Sequence, residues 1–316
     1  MDDIYLDKNE NPFNVPEKVR KEFINYVKTA NFNRYPEKWL PSLTKKLAGL
    51  TGFDSGNIIV TNGSDELLDM LIKHADGDIV ISSPTFEMYS FYAGNYGHKV
   101  IDVPLHSDFS LDADGILEQK DAKLVVICSP NNPSGNLMNR ESIKKVLDSG
   151  VTTILDNAYY EFSGEDYTDL LAKYKNLIIL RTLSKAFSLA GMRIGYGIAD
   201  SGFISELKML QAPSYMNILS ARMAEIMIDN YDLIGEKIRY IINERDRVYS
   251  EIKDMAYPSS ANFLLIKKDI YDYMEERGIH IRKLPLVKDR SRLTIGTKEE
   301  NDRAIEAIHE YIEKIF

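Results

Sequence analysis

From about residue 40 to residue 215, short apolar runs alternate with longer stretches of helical length, and this alternation narrows the possible folds most. The candidate strands are 58–61, 78–82, 99–103, 123–129, 151–156, 177–182 and 194–199. Leu124-Val125-Val126-Ile127-Cys128 is apolar at every position. Such runs suit strands covered on both faces, as in a mainly parallel sheet. The stretches 65–75 and 140–149 have the length of crossover helices. The last run follows Gly191-Met192-Arg193 too soon for a crossover helix, which points to an antiparallel final strand. The expected fold class is α/β, with a seven-stranded, mainly parallel sheet.

Past Pro213 the pattern changes. Ile238, Ile241, Ile242, Arg245, Val248, Ile252 and Met255 fall at helical spacing, which predicts a long amphipathic helix over 236–255. Strand-like segments follow at 262–267, 280–282 and 292–295. Thr297-Lys298-Glu299-Glu300 is a capping-box pattern that opens a terminal helix carrying Ile305, Ile308, Ile312 and Ile315. The expected division is an N-terminal arm and helix over 1–34, packing on the small domain, then a large domain over 35–215 and a smaller α+β domain over 216–316. In the first segment only Tyr5-Leu6 reads as strand, before a helix at 16–28.

With 39 basic and 48 acidic residues, the formal net charge of −9 gives no basic footprint for nucleic acid. An anionic substrate would need a local basic pocket. No apolar run approaches the roughly 18 residues that span a bilayer, and Met1-Asp2-Asp3-Ile4 has no signal core. The single cysteine, Cys128, reads as a buried hydrophobe on a strand and agrees with a reducing, cytoplasmic compartment. The five histidines lack ligand spacing, so no metal site is expected. No Gly-x-Gly-x-x-Gly turn follows an early strand, which argues against a dinucleotide-binding dehydrogenase.

The most informative segment is Arg181-Thr182-Leu183-Ser184-Lys185-Ala186-Phe187-Ser188-Leu189-Ala190-Gly191-Met192-Arg193. A lysine just past a buried strand, among Ala, Phe and Leu, sits where desolvation lowers the ammonium pKa. A neutral amine attacks an aldehyde to form an imine. The hydroxyls of Thr182 and Ser184 and the guanidinium of Arg193 suit a phosphate ester beside that imine. Alone, the same residues also read as a solvated loop. Taken together, the run closely resembles the cofactor-lysine signature of the class I and II aminotransferases, fold-type-I enzymes dependent on pyridoxal 5′-phosphate. Within them it is most similar to the histidinol-phosphate aminotransferase branch. The resemblance implies that Lys185 carries the cofactor as a Schiff base and that exchange is ping-pong.

Further segments extend the resemblance in the right order. Asp156-Asn157-Ala158-Tyr159 resembles the family's Asp-x-x-Tyr element, with Asn157 where Glu is usual. It implies Asp156 on the pyridine nitrogen and Tyr159 donating to the ring's phenolic oxygen. Pro130-Asn131-Asn132-Pro133-Ser134-Gly135 is similar to the loop whose second Asn, here Asn132, reaches the same oxygen. Asn62-Gly63-Ser64-Asp65-Glu66 opens a helix after the first strand, where free N–H groups make an anion site. The phosphate is assigned there to the Gly63, Ser64 and Asp65 backbone, provided that the Asp65 and Glu66 carboxylates face away. Pro84-Thr85-Phe86-Glu87-Met88-Tyr89 resembles the element whose aromatic ring stacks on the pyridine, with Phe86 preferred and Tyr89 second.

For substrate, Asn9-Glu10-Asn11-Pro12-Phe13 and Arg34-Tyr35-Pro36 resemble elements of the histidinol-phosphate branch. They suggest Asn11 and Phe13 at the substrate, and imply Tyr35 at the neighbouring subunit's cofactor phosphate, hence a homodimer with shared sites. Arg292 matches the family's substrate-anchoring arginine, and Arg282 is a second candidate for a substrate phosphate. The expected reaction takes L-histidinol phosphate as amino donor and 2-oxoglutarate as acceptor. An aromatic or broad-range amino-acid aminotransferase, a threonine-phosphate decarboxylase-like enzyme and a non-catalytic module of this fold remain alternatives.

Overall fold

The computed structural model describes residues 2–36 and 40–315. Met1, Phe316 and residues 37–39, at the edges of the expected segments, lie outside the described residues. The strands, in chain order, are β1 (Ile4–Leu6), β2 (Ile58–Thr61), β3 (Asp78–Ile81), β4 (Val100–Asp102), β5 (Ala122–Cys128), β6 (Thr152–Asp156), β7 (Leu177–Thr182), β8 (Gly195–Ala199), β9 (Phe263–Ile266), β10 (Ile279–Lys283) and β11 (Ser291–Thr294). Among the described residues they form two sheets, a seven-stranded one ordered β2-β8-β7-β6-β5-β3-β4 and a four-stranded one ordered β1-β10-β11-β9.

In the large sheet β3 to β7 run parallel, while β8 is antiparallel to both β7 and β2. The short 183–194 connection allows only that direction, because a parallel return needs a helix-length crossover. Two apolar layers cover this sheet. One packs Ile79, Val126, Ile154 and Ile178 under helix Ser64–Lys73, and the other packs Val125, Leu155 and Ile179 under helix Arg140–Leu147. Coverage on both faces accounts for the unbroken apolar runs. The parallel register sets Cys128 beside Asp156 and Asp156 beside Leu180. The loops that leave β5, β6 and β7 therefore emerge at one edge.

The arm pairs into the small sheet, with Ile4, Tyr5 and Leu6 alongside Ile279, His280 and Ile281. The long helix is Asp232–Glu251, one turn earlier than its apolar spacing predicts. Ile252 and Met255 are buried but lie past its end. Burial there is achieved by an irregular turn, and hydrophobic spacing alone does not separate the two. The expected division at 215/216 falls between helices Ser201–Leu210 and Ile218–Asp229. A single apolar core continues from helix Leu40–Thr51 through Ile218–Asp229 to β9 and β11. Among the described residues no helix is long and apolar enough to cross a membrane.

The terminal helix Lys298–Ile315 opens on a reciprocal cap. The Thr297 N–H donates to Glu300 Oε2 (2.7 Å), and the Glu300 N–H donates to Thr297 Oγ1 (3.3 Å). Removing that hydroxyl by Thr297→Ala should cost about 1 kcal/mol of stability, read as a lower denaturant midpoint at unchanged slope.

Candidate active site

The edge where β5, β6 and β7 end opens onto a cavity of about 280 Å³. Its opposite wall consists of arm residues Asp7, Lys8 and Asn9, the arginines Arg282 and Arg292, and the loop Leu284-Pro285-Leu286-Val287.

Lys185 lies in the β7–β8 loop, half-buried on the cavity wall. The loop closes through the Leu183 N–H to the Ile194 carbonyl (2.9 Å) and the Leu189 N–H to the Leu183 carbonyl (3.1 Å). The lysine Nζ donates to the carbonyl of Lys8 (3.0 Å). Burial brings its ammonium down to about 8, and the Arg292 charge adds to the fall. Asp156 ends β6. Its Oδ2 accepts from Tyr89 Oη (2.7 Å) and its Oδ1 from the Ala158 N–H (3.2 Å). Burial pushes this carboxyl up to about 6 despite the Tyr89 bond. Tyr159 packs edge-on against Phe263 and its Oη accepts from Asn9 Nδ2 (3.0 Å). Burial pushes the phenol up to about 12. Asn132 accepts at Oδ1 from Arg292 Nη1 (2.6 Å), so its own amide hydrogens are left for the cleft. Arg292 also donates from Nη2 to the Asp7 carbonyl (2.7 Å), while its buried Nε has no partner among the described residues.

Beside Lys185, helix Ser64–Lys73 points its N-terminus at the cavity, and the Gly63 position before it gives no side-chain cap among the described residues. Gly63, at φ +86°, leads into it, and a Cβ there would stand 2.6 Å from Arg193 Nη2. A Cβ on Gly195 would stand 2.1 Å from the Ser64 nitrogen. Gly63 leaves room for the Arg193 guanidinium and Gly195 for the Ser64 backbone, which brings a cation to the helix start and forms a cradle for an anion. Arg193 Nη2 pairs with Asp65 Oδ2 (2.7 Å), and Glu66 Oε2 accepts from the Asn62 N–H (2.5 Å). Glu66 stays off the cavity as the phosphate assignment requires, whereas Asp65 lines it, with its carboxylate held by Arg193.

Among the expected positions, Thr182, Phe86 and Arg282 line the cavity and Asn11 and Phe13 do not. The Thr182 hydroxyl donates to the Ile194 carbonyl (3.2 Å) and accepts from the Ser184 N–H (3.1 Å), so it shapes the lysine loop. Tyr89, the second stacking candidate, is fully buried and bonded to Asp156; Phe86 is the ring on the cavity wall, edge-to-face with Tyr89. Asn11 and Phe13 do not line the cavity. Asn11 Nδ2 is committed to the Lys185 and Ala186 carbonyls, and Phe13 packs against Tyr240. Asn157 is buried and turned away from the cavity, donating to the Ser129 carbonyl (2.6 Å). Arg282 lines the cavity with Nη2 bonded to Glu87 Oε1 (2.6 Å). Tyr35 is 78% exposed and stands outside this chain's own cavity.

Sequence reasoning missed the Tyr89–Asp156 bond, Glu87 and the arm backbone. Carbonyl groups carry no residue signature, so Asp7 and Lys8 were unreadable as partners. The apolar Leu284–Val287 stretch between two predicted strands was a usable signal.

Comparison with known proteins matches residues 1–308 to the family described as aminotransferase class I and II. The chain is 45% identical to a histidinol-phosphate aminotransferase of Pyrococcus furiosus, over 98% of this chain and 93% of that one. Identity is 42% to the protein of that name from Thermococcus kodakarensis, over 98% and 92%. The crystal structure of the histidinol-phosphate aminotransferase from Clostridium acetobutylicum superposes with a TM-score of 0.89 at 25% identity, covering 99% of this chain and 100% of that one. The chain therefore belongs to the class I and II aminotransferases, which use pyridoxal 5′-phosphate to transfer amino groups.

Proposed function

We propose that this enzyme transfers the amino group of L-histidinol phosphate to 2-oxoglutarate. The observation that carries this reading is the pairing of Arg282 with Arg292 as direct cross-strand neighbours, both on the cavity wall. Two guanidinium groups set side by side repel each other, Glu87 offsets only the Arg282 side of the pair, and a phosphate dianion would meet both. A monocarboxylic amino acid needs only one, while the two carboxylates of the 2-oxoglutarate acceptor can use both. Burial, with Arg282 contributing, already lowers Arg292 to about 10, as expected of crowded cations. The relatives named above share the proposed activity in their names.

The cofactor's phosphate fits the cradle at Gly63, Ser64 and Asp65, with Ser184 and Arg193 beside it. Asp156 supplies a buried carboxylate for a ring nitrogen, and Asn132 and Tyr159 supply donors for a ring oxygen. Phe86 offers a ring face to stack on. When bound, pyridoxal phosphate supplies an aldehyde for the amine and a ring that withdraws electrons from the carbon that loses its proton. Lys185, partly neutral near pH 7.5, would carry the proton from the substrate carbon to the cofactor's aldehyde-derived carbon. Asp156, whose carboxyl burial raises to about 6, is charged above that pH and would keep a ring nitrogen protonated when the cofactor is bound. Arg292 and Arg282 orient the substrate's anionic end, and Arg282 must leave Glu87 to do so fully.

We further propose a cytoplasmic homodimer in which Tyr35 completes the neighbouring subunit's phosphate site. Its 78% exposure, with Phe32 60% exposed nearby, supports a covered surface there. The arm, large and small segments bounded at 34 and 215 are retained as the proposed domains.

An amino-donor panel on purified enzyme tests the substrate. Histidinol phosphate should exceed phenylalanine, tyrosine and glutamate in kcat/KM by at least about tenfold, a difference of ~1.4 kcal/mol in transition-state stabilisation. Turnover of aromatic amino acids without histidinol phosphate contradicts the proposal. A second measurement tests Lys185 itself. In cofactor-free protein its reductive methylation should rise with a midpoint near pH 8, because the reactive neutral amine appears above the lowered pKa. A midpoint at the ordinary lysine value of roughly 10.4 contradicts the assigned burial.

A further inference from the structure

The arm residue Asn9 is 1% exposed, sits at φ +53° and lies on the cavity wall. Its hydrogen bonds have a fixed polarity. The Asn9 backbone N–H donates to Thr294 Oγ1 (3.0 Å), and a backbone N–H has no alternative role. The Thr294 hydroxyl in turn donates to Asn9 Oδ1 (3.1 Å). With Oδ1 assigned, the Asn9 amide nitrogen must be the atom facing Tyr159 Oη (3.0 Å), and the phenol is the acceptor. The Asn9 carbonyl accepts from Asn262 Nδ2 (3.0 Å), which ties the residue down on a third side. A phenol has one proton. Because Asn9 occupies the oxygen as a donor, that proton is left to point into the cleft.

We propose that Asn9 is a positioning residue that sets the direction of the Tyr159 hydroxyl proton, so that the phenol donates into the cleft. The proposal rests on the reading of this cavity as the pyridoxal phosphate site. The two neighbouring carbonyls, of Asp7 and Lys8, hold Arg292 and Lys185. The arm thus fixes one proton direction in the same step by which it gathers both cations. An aspartate at position 9 would present an acceptor to Tyr159 and turn the phenol proton away from the cleft.

The test is a pH titration of the visible absorption of holoenzyme for wild type, Asn9→Asp, Tyr159→Phe and the double variant. Losing a donor to the ring oxygen raises the apparent pKa of the cofactor–lysine band. Asn9→Asp and Tyr159→Phe are each expected to raise it by roughly one pH unit. The double variant should move no further than Tyr159→Phe alone. Thr294→Val removes the hydroxyl that orients the Asn9 amide while keeping its shape. It should move the band in the same direction by less, and it serves if Asn9→Asp does not fold. A merely structural arm contact would change the unfolding temperature without moving this titration. An unmoved band in a coloured Asn9→Asp or Thr294→Val protein overturns the proposal alone, as does a full additional shift on top of Tyr159→Phe. A wild type that stays colourless with pyridoxal phosphate overturns the cofactor reading, and the proposal with it.

Discussion

Taking a lysine ammonium out of water is the constraint around which this cleft is organised. Lys185 cannot reach its lowered pKa on a solvated loop; it needs Ala186, Phe187 and Leu183 packed behind it. It also needs a second cation, Arg292, near enough to disfavour its charge. The same burial raises the Asp156 carboxyl, and the two shifts bring an acid and a base toward neutrality from opposite sides. An amine that is neutral part of the time near pH 7.5 can act as a nucleophile and as a proton carrier, which amino-group transfer requires of one residue.

The fold provides this arrangement by bringing distant segments to one edge. Three parallel strands deliver Asn132, Asp156 and Lys185 from positions far apart in sequence, at the strand ends where open α/β sheets place their ligands. The antiparallel β8 returns Arg193 and Gly195 against the start of helix Ser64–Lys73, where Gly195 lets the Ser64 nitrogen approach. Facing this edge, β10 and β11 present two arginines in register. The arm closes the remaining side by pairing with β10 and then running across the cleft. Its Asp7, Lys8 and Asn9 bond to Arg292, Lys185 and Tyr159 in turn.

The strands of the large sheet were legible because burial on both faces leaves unbroken apolar runs, and Leu177–Thr182 matches its expected bounds residue for residue. The Thr297–Glu300 cap was legible because its chemistry is local. The Asp232–Glu251 helix was displaced by a turn because spacing reports which side chains are buried, and Ile252 and Met255 are buried without being helical. In the cleft, residues carried by short motifs at strand ends could be named. Asn11 and Phe13 lie off the cavity, and Thr182 lines it with its hydroxyl bonded into the lysine loop, because the motif identifies the position and leaves open where the side chain points. Tyr89 was read as a ring face when its hydroxyl was the informative atom. Contacts made by the carbonyls of Asp7 and Lys8 depend on tertiary geometry alone, and nothing in the residue types announces them.

The central claim is that one side chain, Lys185, bonds covalently to the cofactor. Borohydride reduction of the protein with pyridoxal phosphate, followed by peptide mapping, tests it directly. The account predicts a stable pyridoxyl group on Lys185, with no comparable label on other lysines and none at that position in a Lys185→Ala protein. Label on a different lysine, or a wild-type protein that acquires none, would contradict it.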